Sequence, residues 1–143
     1  MKADLLAPAA VLVLWTLVML TWLAGTRLPA LRAAGIDMSK AVGGRGQDLE
    51  GVLPANVNWK SHNYAHLVEQ PTLFYAVVAI LAIVGQVSQA AVVLAWVYVA
   101  IRIVHSVVQV TSNRIAIRFP IFVAGSLVLL SLAIMALIRT LGR

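Results

Sequence analysis

From Gln70 to Ile101 the chain runs without a single charged residue. A bilayer crossing takes about 20 residues as an α-helix, so this stretch is too long for one span and fits two. "GQVSQ" (Gly85–Gln89) supplies a glycine-led polar break near its middle, and such clusters end helices. The pattern predicts a helix over about 62–84 and another over about 90–111. "TSN" (Thr111–Asn113) punctuates again, and a last helix is expected over about 114–138. Near the start, Leu5 to Thr26 is a further uncharged run. It exceeds the roughly 7–15 residues of a signal-peptide core. "TRLPALR" then adds the positive charges of a stop-transfer flank, so a retained span over about 5–26 is expected. The fold class is an all-α integral membrane protein, a four-transmembrane-helix bundle forming one domain over 1–143.

Composition supports that class. Charged residues make up only 11% of the chain and mean hydropathy is +0.93, whereas soluble domains carry about a quarter charged residues. The absence of cysteine removes disulfides and thiolate metal sites. The net charge of +6 does not point to nucleic acid, because the positives are scattered among hydrophobic segments; they orient the chain in a membrane instead. Half of the charged residues fall in a polar stretch of about 27–60 that also holds Gly43, Gly44, Gly46 and Pro54. Four spans put both termini on one side. The other side collects Arg27, Arg32, Lys40, Arg45, Lys60, Arg114 and Arg118, against Lys2, Arg139 and Arg143 at the termini. The positive-inside rule therefore makes the polar loop cytoplasmic, giving an N-out, C-out orientation. Trp59 beside Lys60 suits an interface anchor.

Arg102, His105 and Gln109 interrupt the third span at i, i+3 and i+7, one stripe of a helix. Counted from Ser112, Arg102 is about 10 residues, or roughly 15 Å, deep. The second span carries Asn63, His66 and Glu69 at i, i+3 and i+6. Aligned antiparallel, Asn63 comes level with Gln109, His66 with His105, and Glu69 with Arg102. A charge at mid-bilayer costs at least about 2.5–3.5 kcal/mol, so such residues face the bundle interior and find partners. A Glu69–Arg102 ion pair is the expectation, either as a device that fixes helix register or as part of a site. A metal centre is not expected: Arg102 repels a cation, and no His-x3-His spacing exists. Arg114 and Arg118, one turn apart, read either as interfacial arginines reaching lipid phosphates or as an anion-binding pair above the ladder.

These residues resemble a known family. "IRIVHSVVQVTSNRIAIR" resembles the third-to-fourth-helix signature of the MAPEG family (membrane-associated proteins in eicosanoid and glutathione metabolism), with Arg-x-x-His, a polar or aromatic residue four further on, and arginines opening the fourth helix. "NYAHLVEQPTLFY" is similar to the second-helix motif of bacterial members. The resemblance covers essentially the whole chain. It implies a homotrimer in a bacterial inner (plasma) membrane, surrounded by lipid, with glutathione as co-substrate in a cleft between protomers. It implies a catalytic Arg118 that stabilises the thiolate, and a glutathione site of Arg27 (lent by a neighbour), His66, Glu69, Arg102, His105, Gln109 and Arg114.

The sequence departs from the catalytic pattern in three places. Ala65 and His66 stand where an Arg-Asn pair precedes the glutamate, and Phe119 stands where a serine often follows the last arginine. Gln109 occupies a position where a tyrosine often lies. Losing one arginine from a dicarboxylate site removes a charge-assisted hydrogen bond of about 1.5–3 kcal/mol. The leading expectation is a glutathione-dependent transferase or peroxidase acting on a hydrophobic small molecule. A non-catalytic lipid-binding or scaffolding protein of the same fold is the first rival. A small transporter using Glu69 as its proton site is the second, and the arginine expected at the same depth argues against it.

Overall fold

The computed structural model describes residues 2–85 and 87–142. Gln86, inside the predicted break, and Arg143, counted among the terminal positives, lie outside the described residues, as does Met1. Four helices carry the fold: α1 (Lys2–Ala33), α2 (Ala55–Val84), α3 (Gln89–Thr111) and α4 (Ile115–Leu141), with a 3-10 turn at Gly46–Leu49 between α1 and α2. Each is long and apolar enough to cross a bilayer.

The breaks are made by the residues that predicted them. Gly85, at φ 80°, ends α2 in the left-handed region, and its N–H donates to the Leu81 carbonyl. Only glycine enters that region freely, which is why it closes helices so often. Ser88 then opens α3, its Oγ accepting from Ala91 N at 3.2 Å. Asn113, at φ 50°, turns the chain from α3 into α4; asparagine tolerates that conformation better than other side chains with a Cβ.

Two boundaries depart from expectation. Helix α1 continues past Thr26 to Ala33, and α2 begins at Ala55 rather than near His62. The polar connection therefore shrinks from about 27–60 to 34–54. Hydropathy marks where lipid ends, not where backbone hydrogen bonding ends, and both helices continue because their polar overhangs pack. Leu31 on α1 and Asn58 and Lys60 on α2 are buried. Asn58 Nδ2 donates to the Leu49 and Leu53 carbonyls, and Lys60 Nζ donates to Asn56 O while lying 5.4 Å from the Trp22 ring centroid. Trp22 thus joins Trp59's neighbour in an interface cluster. Arg27 Nη2 donates to Gly46 O at 2.6 Å, and His62 Nε2 lies 2.7 Å from Glu50 Oε1. The connection is strapped down at both ends. Within it, the Ser39 hydroxyl and backbone N–H donate to Asp37 and hold that carboxyl below its ordinary range.

Packing follows a three-four spacing. Buried positions fall at Leu67, Pro71, Phe74, Val78 and Leu81 on α2, at Ala91, Ala95, Tyr98, Arg102, His105 and Gln109 on α3, and at Gly125, Leu129, Leu132 and Ala136 on α4. That repeat is the seam of left-handed helix packing, common in membrane bundles. Helices α2 and α3 are the central pair; α1 packs on both, and α4 packs on both. Phe74 and Tyr98 stack at 4.4 Å across the central pair. Gly125 lets α4 approach α3 closely, since a Cβ there would sit 3.2 Å from Ile101 Cγ2. The outer faces are apolar, with Leu14, Ile83, Val104 and Leu127 all exposed, as lipid or a partner requires.

Candidate functional site

The two polar stripes meet, but they do not stay opposed. His66 and His105 come level as expected, their ring centroids 6.1 Å apart and edge-on. Asn63 and Gln109 are both buried, though neither side chain has a hydrogen-bond partner among the described residues. Arg102 is 1% exposed. Its Nη2 donates to the His66 carbonyl at 2.7 Å, not to Glu69.

Glu69 is the correction. Its side chain is 67% exposed, and its Oε2 lies 3.7 Å from His66 Nδ1. No Glu69–Arg102 salt bridge forms in the protomer. The reason is helix geometry. Each step of three residues falls about 60° short of a full turn, so Asn63, His66 and Glu69 wind from the interior outward. The steps from Arg102 to His105 to Gln109 alternate three and four, and keep that stripe inside. Depth alone aligned Glu69 with Arg102; azimuth separates them. Pro71 has no donor for the Leu67 carbonyl. In the same stretch of α2, the Arg102 guanidinium bonds the His66 carbonyl and the Thr72 hydroxyl donates to the Glu69 carbonyl at 2.6 Å.

The histidines line a cavity of about 230 Å³ with Arg118, Phe119, Phe122 and Ile115. Helix α2 supplies His66, α3 supplies His105, and the first turns of α4 supply the rest. Arg118 is aimed by the turn that precedes its helix: Nη1 donates to Asn113 Oδ1 at 2.6 Å. Asn113 therefore both reverses the chain and holds the cation. His105 and Phe122 rings lie 6.1 Å apart, tilted. Ile115 and Phe119, both exposed, form the outer rim.

The other candidates fall outside this cavity. Arg114 is the residue preceding α4 and is exposed. Arg102 lies behind His66, and Gln109 is fully buried. Arg27 bonds Gly46 and Ser61 and lines a separate cavity of about 380 Å³ beneath the loop. Sequence reasoning reaches Phe119 only as a departure from the family pattern and Asn113 only as a turn residue, and it does not reach Phe122; a lone asparagine in a turn beside two arginines is the available signal.

Chemically, the cavity joins one permanent cation, two imidazoles and aromatic walls, with the Glu69 carboxylate 3.7 Å from the His66 ring on its outer side. A guanidinium stabilises an anion, the imidazoles donate and accept hydrogen bonds, and the phenyl rings hold an apolar group. The sequence profile of the MAPEG family matches residues 5–138 of the chain. No curated protein and no solved structure matches it.

Proposed function

This chain belongs to the MAPEG family and is a multi-pass integral membrane protein, and from that premise we propose that it uses glutathione to transform a hydrophobic electrophile drawn from the bilayer. The observation that carries the reading is the convergence of Arg118, His66 and His105 on one aromatic-walled cavity at the end of the bundle that bears the polar loop. A cation beside sulfur favours the thiolate, as it does for cysteine. In transfer, the thiolate forms a carbon–sulfur bond while the leaving group departs with its electron pair. In peroxide reduction, the thiolate attacks one peroxide oxygen and an alkoxide leaves, taking a proton; a second glutathione then gives the disulfide and water. The alkoxide takes its proton from solvent, and in this reading His66 and His105 offer hydrogen bonds beside it.

The assembly we propose is a homotrimer in a bacterial inner membrane, the loop side facing the cytoplasm. Small-molecule sites span roughly 300–1,000 Å³, and the cavity is about 230 Å³ in one protomer; in this reading a neighbouring protomer packed against it enlarges the enclosed site. Glu69, exposed beside Val68, Thr72 and Leu73, also calls for cover, since lipid does not solvate a carboxylate. Arg27 joins a neighbour's glutathione only by releasing Gly46 and Ser61.

A non-catalytic lipid-binding role has one specific support: Ala65, His66 and Phe119 depart from the catalytic pattern, and Phe119 narrows the rim. The transporter reading loses its footing for a different reason than expected, because Glu69 faces out of the bundle rather than into it. Isothermal titration of the purified assembly with glutathione decides between enzyme and scaffold. Saturable binding, weakened at least tenfold by Arg118→Gln, is the expected result; no heat of binding at millimolar glutathione replaces the enzyme with the scaffold.

A further inference from the structure

All five acidic side chains of the chain, Asp4, Asp37, Asp48, Glu50 and Glu69, are exposed. Arg102 is not: it is 1% exposed, within α3. Its Nη2 donates to the His66 carbonyl, while Nε and Nη1 have no partner among the described residues. A cation is thus held inside the bundle by a neutral oxygen. Taking an ion out of water is costly unless an opposite charge meets it, and lipid supplies none. The side chains around it are in the same condition. Ser106 follows Arg102 by one turn on the buried stripe of α3 and Gln109 by two, and Asn63 is buried on α2 one turn to the loop side of His66. Ser106 and Gln109 are 0% exposed and Asn63 1%. Ser106 Oγ, Gln109 Nε2 and Asn63 Nδ2 have no partner among the described residues, nor have the two amide oxygens. Buried polar atoms rarely stay that way. So many donors beside one uncompensated cation suit a guest that accepts hydrogen bonds and carries negative charge.

We propose that Arg102 binds a small inorganic anion of halide size inside the protomer, with Ser106, Gln109 and Asn63 as supporting donors. Size follows from burial. None of the four exceeds 1% exposure, so an anionic group attached to a larger molecule does not fit among them. Charge follows from the inventory: a halide is an acceptor that a guanidinium, a hydroxyl and two amide groups can share. Water accepts too but brings no charge, and a metal cation is repelled. The amide oxygens of Asn63 and Gln109 need donors of their own, and water meets that need beside the anion. Gln109 stands within a turn of the end of α3, so the ion enters from the loop side. Glu69 is the rival counter-ion, but its carboxylate is 67% exposed and lies against His66 Nδ1. The site is distinct from the Arg118 cavity, whose lining includes neither Arg102 nor Gln109, and it stands whether or not the protein uses glutathione. Because Arg102 also holds the His66 carbonyl, an anion there steadies the part of α2 that walls that cavity.

Thermal unfolding of the full chain, purified in an uncharged detergent without glutathione, tests this. Ionic strength is held constant while chloride replaces gluconate, an anion too large to be enclosed. The wild-type midpoint should rise saturably, by about 5 °C once chloride is about a hundredfold above half-saturation, and bromide should substitute for chloride. Arg102→Met should lose the dependence and melt near the chloride-loaded wild type, since the charge and its partner leave together. Ser106→Ala should keep it, with a half-saturating concentration about fivefold higher, the worth of one net hydrogen bond. Arg118→Gln and Glu69→Gln should each keep it unchanged. A wild-type midpoint indifferent to chloride overturns the proposal, and that measurement needs no variant to fold. A dependence that Arg102→Met retains, or that Arg118→Gln loses, overturns it too by placing the ion elsewhere. Chloride acting on Glu69→Gln alone would make the carboxylate, turned inward, the counter-ion, and the anion site would fall.

Discussion

Arg118 and Arg114 are neighbours in sequence and strangers in the structure. Arg118 lines the cavity and is held by Asn113, whereas Arg114 stands exposed at the helix start. A cation next to a thiol lowers its pKa, so removing it raises the pH at which bound glutathione becomes thiolate. Thiolate absorbance of the complex against pH should therefore shift upward for Arg118→Gln and stay in place for Arg114→Gln. Equal shifts would describe a diffuse basic rim. Arg102 makes the opposite kind of prediction. Its guanidinium is buried with Nε and Nη1 unpartnered, and replacing such a charge with an apolar side chain is often neutral or stabilising. Arg102→Met should change stability by no more than about 1 kcal/mol, and its effect should add to that of Glu69→Gln within about 0.5 kcal/mol. A larger coupling in unfolding measurements would restore the ion pair that depth alone suggested. Residue depth was legible because charges and turn residues mark it directly. Azimuth was not, because a three-residue spacing carries Glu69 about 60° further round the helix at each step.

Helix α4 owes its useful end to the turn before it. Asn113 adopts φ 50° and its Oδ1 holds Arg118 at 2.6 Å, two tasks that substitution can separate. Asn113→Gly keeps the left-handed turn at no steric cost and releases the arginine. It should leave the melting temperature within a few degrees of wild type and weaken glutathione binding about tenfold, the scale of one charge-assisted hydrogen bond. Unchanged affinity would show that the cavity walls alone aim the guanidinium. At this scale the sequence announced every helix and every break between them, since Gly85, Ser88 and Asn113 act locally. Helix ends facing the loop were hidden, because what extends α1 and α2 is tertiary: the Asn58 and Arg27 bonds to a connection that is distant in sequence.

As a whole, the molecule is a bundle with a polar site at the loop end and apolar outer faces along its spans, and the Glu69 carboxylate stands exposed on one of them. Native mass spectrometry from mild detergent should find three chains; a monomer or a dimer would remove the neighbour that closes the cavity. The strapped connection has a consequence for topology. Lys40 is 84% exposed in its turn, whereas Lys60 is 9% exposed within α2, and proteases cut exposed, non-helical tips. Trypsin should cleave between Lys40 and Arg45 and spare Lys60, splitting the chain into two fragments that each keep intact spans. Vesicles whose former cytoplasmic face is turned outward should be cut in this way, and vesicles of native sidedness should resist. The reverse pattern would turn the protein over in its membrane, with the mouth of the cavity facing the other compartment.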